Sequence, residues 1–237
     1  MNNILLLGSQ HGNELLGEHL YSYIARKRPE LLSYITYKTG NLRAHKQNVR
    51  YLESDLNRSY NGKRVTYEER RAERLLRFIK KEAFDLVLDL HTTTCVQPPC
   101  LIIPSIHSDI RDFLRATSIE NVVHMSHSIV TSSLIGVYSK AVSIEVNRAN
   151  VTDEMMEELC NDIARYIRRI STNQFKKVYE VRHLLKKTEL STIQAAALRN
   201  FEQSTYGYYP ILIGENSYKK YTEYLGFKAY KVRVIKV

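Results

Sequence analysis

Two histidines and two glutamates in this chain have the types and spacing that metal-assisted hydrolysis requires. The first pair is His11-Gly12-Asn13-Glu14, in which an imidazole and a carboxylate three residues apart can face one ion. Two ligands on one short rigid element lower the ordering cost of a metal site. A solvated helix start, with Glu14 favoured by the helix dipole, explains the same pair without a metal. His91 follows the apolar run Phe84 to Leu90 and opens the polar stretch Thr92-Thr93-Thr94. His, Glu and His together make a three-ligand set suited to catalytic zinc, with a fourth position left for water. Asp89 precedes His91 by two residues, so it either orients that imidazole or lies on the other face of its strand. The second glutamate is Glu145, within the otherwise apolar Ser143-Ile144-Glu145-Val146. A carboxylate in such a run is costly unless it is paired or has a task, and a general base beside an activated water is such a task. A strand-end acid facing water is the alternative. A polar segment, Arg50-Tyr51-Leu52-Glu53-Ser54-Asp55-Leu56-Asn57-Arg58, adds two guanidinium groups. These can clamp a carboxylate or hold an oxyanion. Equally, they can form surface ion pairs, Arg50 with Glu53 and Asp55 with Arg58.

The elements that must position these groups follow from the hydrophobic pattern. Asn3 to Leu7 reads as a buried strand ending at Gly8. Asn13 to Lys27 carries Leu16, Leu20, Tyr23 and Ile24 at helical spacing, and Pro29 stops it. Tyr34 to Thr39 is a second strand, and residues 40 to 65 form a long polar loop of the kind that usually carries function. Thr66 and Glu69 make a capping box for a helix running to about Lys81. Strands follow at 84 to 90, 100 to 103, 121 to 125 and 141 to 146, then a helix from Thr152 with Met156, Leu159, Ile163, Tyr166, Ile167 and Ile170 inward. Alternating strands and helices indicate an α/β layer structure over residues 1–171. Ligand groups then gather at the carboxyl ends of the strands, where His11, Glu14 and His91 all fall. Residues 172–237 change texture: strands at Phe175 to Leu185 and Lys228 to Lys236, with many tyrosines, read as a small β-rich C-terminal domain.

In order along the chain, these segments resemble the aspartoacylase and succinylglutamate desuccinylase family, relatives of the zinc carboxypeptidases. The matching stretches are Gly8 to Glu14, Asn41-Leu42-Arg43-Ala44, Arg50 to Arg58, Asp89 to Thr93 and Ile144-Glu145-Val146, with a fainter match at Glu215-Asn216-Ser217-Tyr218. The resemblance implies a mixed central sheet flanked by helices and a C-terminal β domain that narrows the entrance. It implies a zinc-dependent hydrolase that cleaves the amide bond of an N-acyl amino acid. Its zinc would be held by His11, Glu14 and His91. Glu145 would be general base and then proton donor to the leaving amine, and Arg50 would polarise the scissile carbonyl. Asn57 and Arg58 would grip the substrate α-carboxylate, and Tyr218 would reach in from the C-terminal part. In aspartoacylase an arginine about ten residues before the base reads the substrate's side-chain carboxylate. Here Ser132 to Val137 holds no arginine, with Lys140 as the substitute to test, and Asn147-Arg148 replaces the usual Gly-Pro. A zinc carboxypeptidase acting on short peptides would use the same groups.

Composition bounds the rest. The chain has 237 residues, 43% hydrophobic and 25% charged, which excludes collagen-like and disordered classes. Three cysteines are too few for a disulfide framework, so a cytoplasmic setting is expected, and no apolar run reaches the length of a membrane span. The net charge of +10 favours an anionic partner, such as an acidic small substrate, and permits a basic nucleic-acid-binding protein. The basic residues are scattered and no nucleic-acid module is recognisable, so no specific nucleic acid and no membrane partner are expected. A homo-oligomer is left open. Two further features are read as structural: His124-Met125-Ser126-His127, whose imidazoles would point to opposite faces, and Cys95 with Cys100, read as core or loop thiols.

Overall fold

Ile4–Gly8 (β1) is a run without a polar side chain, buried at every position. Such a run fits a parallel sheet covered on both faces. The computed structural model describes residues 3 to 236. After β1 come α1 (Leu16–Lys27), β2 (Ile35–Thr39), α2 (Leu42–Lys46), α3 (Tyr67–Glu82), β3 (Leu86–Thr93) and β4 (Cys100–Ile103). Then follow α4 (Ser108–Ala116), β5 (Asn121–Met125), α5 (His127–Val130), α6 (Leu134–Val137), β6 (Ala141–Asn147) and α7 (Asp153–Arg168). The chain closes with β7 (Phe175–Lys186), α8 (Thr192–Ala197), β8 (Tyr209–Ile211), α9 (Asn216–Tyr221) and β9 (Tyr224–Lys236).

The strands form one nine-stranded mixed sheet in the order β2-β1-β3-β6-β4-β5-β7-β9-β8. The first four are mutually parallel. β4 runs antiparallel to β6, and β5 and β7 follow β4 in direction. The strand period of two sorts side chains between the layers. Ile4, Leu6, Leu86, Leu88, Leu90, Val142 and Ile144 pack with α1, α4 and α7 on one face. Leu5, Leu7, Val87, Cys100, Ile102 and Val123 face α3 and the α5–α6 segment on the other. The expected mixed sheet between helical layers is therefore present.

Ile170, expected on the inward face of the last long helix, lies beyond its end at Arg168 and is exposed. Several boundaries also differ from the sequence reading, β9 starting at Tyr224 rather than Lys228. α1 begins at Leu16 rather than Asn13, so His11 and Glu14 occupy a turn before the helix, closed by Glu14 N–H donating to His11 O at 2.9 Å. Strand β3 extends through His91 to Thr93. Residues 40 to 65 are not bare loop: they hold α2, capped by the Asn41 side chain, and a 3-10 turn at Leu56–Arg58 capped by Asp55. Both elements are too short to show a hydrophobic period. The Thr66/Glu69 capping box opens α3 as its spacing predicts.

The composition change near residue 172 falls in the connection between α7 and β7. Residues 177–181 of β7 pair with β5, so the C-terminal strands continue the same sheet. The second half of β7 runs on past β5 with β9 and β8. Among the described residues, no helix is long and apolar enough to cross a membrane.

Candidate functional site

The same alternation that sorts the core puts the polar side chains of β3 and β6 on one face. Asp89 and His91 are two apart in β3, as Ser143 and Glu145 are in β6, and the parallel register sets Asp89 beside Ser143 and His91 beside Glu145. The turn after β1, the neighbour of β3, brings His11 and Glu14 to the same edge. Gly12 permits this turn: a Cβ there would lie 2.2 Å from the Ala44 carbonyl carbon in α2. Its N–H donates to Arg50 O at 3.0 Å, tying the turn to the 50–58 segment.

His11, Glu14 and His91 converge, with one donor atom from each lying within 4.8 Å of the others, and all three are buried. The two Glu14 oxygens face the two Nδ1 atoms, Oε1 at 2.8 Å from His11 and Oε2 at 2.9 Å from His91. Each imidazole turns its other nitrogen to a second carboxylate. His11 Nε2 lies 3.0 Å from Asp55 Oδ1, and His91 Nε2 lies 3.0 Å from Asp89 Oδ2. Such outer carboxylates fix the tautomer and ring orientation of metal-binding histidines. The donor set therefore fits a divalent ion of zinc's type: two Nδ1 atoms and a carboxylate aimed at one point, with room for a further ligand on the pocket side. Without an ion, burial works against a charged His91 ring, but Asp89 and Glu14 outweigh it and hold the ring well above its usual pKa. Burial likewise opposes the Glu14 carboxylate, which the two histidines nonetheless keep far below its usual range.

Asp89 is fully buried and saturated. Gln10 Nε2 donates to it at 2.6 Å and Ser143 Oγ at 2.9 Å, and Tyr60 O–H donates to Gln10 Oε1 at 2.8 Å. Of the two readings left open for Asp89, the structure shows the one that orients His91. Burial pushes the Glu145 carboxyl up to about 7, with His91 pulling the other way.

The 50–58 segment is held by Glu68 of α3, a buried carboxylate. It accepts from Leu52 N at 2.9 Å, Glu53 N at 3.3 Å, Ser54 N at 3.2 Å and Asn41 Nδ2 at 3.2 Å. Arg50 reaches Glu14 Oε1 at 3.3 Å and Asp55 Oδ2 at 3.1 Å, not Glu53, whose carboxylate accepts from Tyr67 N instead. Asn57 Oδ1 accepts from Leu134 N at 3.3 Å and Gln10 Nε2 at 3.4 Å, and its Nδ2 lies 3.5 Å from His91 Nε2. Arg58 is exposed at the pocket mouth.

Tyr218 does come to the pocket. Its helix α9 is anchored by Glu215, whose Oε2 accepts from Thr93 Oγ1 at 2.7 Å, Thr94 N at 2.7 Å and Thr94 Oγ1 at 2.9 Å. Burial pushes the Tyr218 phenol well above its ordinary pKa, so its O–H stays a donor. All eight residues singled out from the sequence, His11, Glu14, Arg50, Asn57, Arg58, His91, Glu145 and Tyr218, therefore meet at one pocket. Lys140 does not. It precedes β6, at the opposite end from Glu145, with Nζ 4.0 Å from Asp85 Oδ1. His124 is engaged elsewhere, its Nε2 2.9 Å from Pro104 O, and His127 opens α5. Sequence reasoning passed over Gln10, Asp55, Glu68 and Ser143. Asp55 lies in the Arg50–Arg58 segment, where spacing pairs it with Arg58, but it faces His11, 44 residues away.

Residues 1–174 match the family model described as succinylglutamate desuccinylase/aspartoacylase catalytic domain. The chain belongs to this family. A probable aspartoacylase from Trichodesmium erythraeum is 32% identical over 120 residues, covering 45% of this chain and 41% of that protein. The chain thus matches less than half the length of this curated relative. Murine aminoacylase 3 superposes over 100% of this chain and 96% of its own with a TM-score of 0.71 at 22% identity. A metallo-carboxypeptidase from Burkholderia cenocepacia shares the fold over 70% of this chain and 56% of its own, with a TM-score of 0.53 at 13% identity. Both identities bear on fold alone. The fold is the one shared by the aminoacylase and metallo-carboxypeptidase structures.

Proposed function

We propose that the protein is a zinc-dependent amidohydrolase that releases a carboxylic acid and a free amino acid from an N-acyl amino acid. The observation that carries this reading is the register of β3 against β6, which seats Glu145 beside His91 at the His11–Glu14–His91 cluster. Zinc held by that cluster would lower the pKa of a bound water toward neutrality. Glu145, whose carboxyl burial pushes up to about 7, takes the proton from the attacking water and passes it to the amide nitrogen as the C–N bond breaks. Arg50, buttressed by Asp55, presents its guanidinium to the carbonyl oxygen as negative charge develops there. Arg58 and Asn57 receive the α-carboxylate, and Tyr218 donates into the same pocket. Asp55 and Asp89 hold the two imidazoles so that both Nδ1 atoms stay on target. The buried free thiols Cys95, Cys100 and Cys160 suit a reducing, cytoplasmic setting.

The test is metal content together with amine release. About one zinc per chain, lost in His91→Ala, with chelator-sensitive hydrolysis of N-acyl amino acids, is the expected result. Glu145→Gln should keep the zinc and lose roughly 10²- to 10⁴-fold in kcat. Full turnover by Glu145→Gln would remove the glutamate from its role. A folded protein that binds no zinc would remove the whole reading.

A further inference from the structure

We infer that the amino-acid half of the substrate carries an apolar side chain and not a second carboxylate. This rests on the amide-hydrolysis reading above and adds the identity of the leaving group. Among the described residues lining the pocket, the only cations are Arg50 and Arg58. Arg50 is already engaged by Glu14 and Asp55. Arg58 alone is left for anion binding, and the substrate α-carboxylate uses it. A second carboxylate would have no cationic partner, since Lys140 sits at the far end of β6 against Asp85. It would also share the pocket with Glu14, Glu145 and Glu215. An anion placed among acids and hydrocarbon without a partner is strongly disfavoured.

The wall that such a side chain would meet is hydrocarbon. Glu145 must hand its proton to the amine nitrogen, so the leaving amino acid lies on the Glu145 side of the scissile bond. There the sheet continues into β4 and β5. Ile102 pairs in register with Ser143, two residues before Glu145 on the same face. Met125 follows from β5, Ile129 and Ile135 from α5 and α6, and Leu212 and Phe227 from the C-terminal strands and their connection. Five of these six are buried and Ile129 is half-buried. The metal-ligand side of the pocket is thus charged and the far side is apolar, with Glu145 at the division. A substrate that places its amide at the division, its α-carboxylate on Arg58 and an aliphatic or aromatic side chain on the wall satisfies both halves.

The experiment measures kcat/KM of the zinc-loaded full chain on N-acetyl derivatives of L-alanine, L-leucine, L-methionine, L-phenylalanine, L-aspartate and L-glutamate. Burial of a leucine- or phenylalanine-sized side chain predicts roughly a 10- to 100-fold gain over alanine. Aspartate and glutamate should fall below alanine. As a second readout, free leucine or phenylalanine should inhibit competitively at concentrations where aspartate does not. Ile129→Arg places a cation on the wall at its least buried position and should narrow the leucine-to-aspartate ratio at least tenfold. If that variant does not fold, the wild-type panel and the inhibition constants decide. Faster hydrolysis of the aspartate or glutamate derivative, or equal rates on all six, overturns this inference while leaving the amidohydrolase reading intact. Hydrolysis of none of the six, by a protein that holds zinc, overturns both.

Discussion

Replacing Glu68 by glutamine tests whether a single buried carboxylate holds the arginine-bearing segment in place. Its Oε1 accepts from Leu52 N and Asn41 Nδ2, and its Oε2 from Glu53 N and Ser54 N. A glutamine can keep one oxygen, and with it the first pair. Its amide nitrogen then faces two backbone N–H groups that have lost their acceptor. Leaving a buried donor unpaired costs about 1–3 kcal/mol, so two cost about 2–6 kcal/mol. The segment is only partly buried, which favours the lower end, about 2–3 kcal/mol. Such a loss is smaller than the stability of a typical domain, so the expected response is local opening of residues 50–58 with the sheet intact. Hydrogen exchange at the amides of Leu52, Glu53 and Ser54 should accelerate roughly 30- to 150-fold, since about 1.4 kcal/mol is one factor of ten. kcat/KM should fall with it, because Arg50, Asp55, Asn57 and Arg58 all ride on this segment. Exchange within threefold of wild type at those amides, in a folded variant with unchanged kcat/KM, would refute the argument.

Asp89→Asn should weaken zinc binding roughly 10- to 100-fold, read by competition with a chelator of known affinity, because His91 Nε2 loses the carboxylate that orients it. Glu215→Ala should raise KM while near-ultraviolet circular dichroism shows the core retained, since the three hydrogen bonds that anchor α9 at the end of β3 are lost and Tyr218 moves with it. Burial pushes the Lys176 ammonium down to about 8, against Thr117 O at 2.7 Å and Ile119 O at 2.9 Å. The unfolded chain therefore binds this proton more tightly than the folded one, and the contribution of Lys176 to stability rises as pH goes from about 8 toward the ordinary lysine range. A urea midpoint that favours Lys176→Met at pH 7, with the gap closing by pH 10, is the expected pattern.

The fold was legible in the sequence wherever burial imposed a period. β1, β5, α3 and α7 follow directly from runs such as Leu5 to Leu7 and from Met156, Leu159 and Ile163. The convergence of His11, Glu14 and His91 was legible because His11 and Glu14 are neighbours and His91 ends an apolar run. What stayed hidden depends on contacts between distant residues. Glu68 reads as an ordinary first-turn acid of a capped helix, yet it accepts hydrogen bonds from a loop 14 to 16 residues earlier. Asp55 reads as a partner for the adjacent arginines, and its histidine lies in another segment. The apolar wall was invisible for the same reason. Ile102, Met125 and Phe227 look like core residues in their own strands, and only sheet order places them beside Glu145. The continuity of β7 with β5 was hidden as well, because a change in composition says nothing about which edge a strand joins.

The position of β6 bears on how a newly made chain matures. β6 lies between β3 and β4, although β4 and β5 precede it in the chain. Until residue 141 has left the ribosome, the β2-β1-β3 ribbon and the β4-β5 pair have no strand to join them. The proposed ligands His11, Glu14 and His91 all belong to the earlier ribbon, whereas Glu145 arrives on the strand that closes the gap. A nascent chain can therefore gather its metal ligands before it owns a base. On the proposed function, the base joins the ligands only when β6 pairs with β3 across a long stretch of chain, the slowest kind of contact to form. Chains stalled before β6 would hold the proposed ligands without the proposed base, so the joining of β6 to β3 is the step that completes the proposed catalytic set.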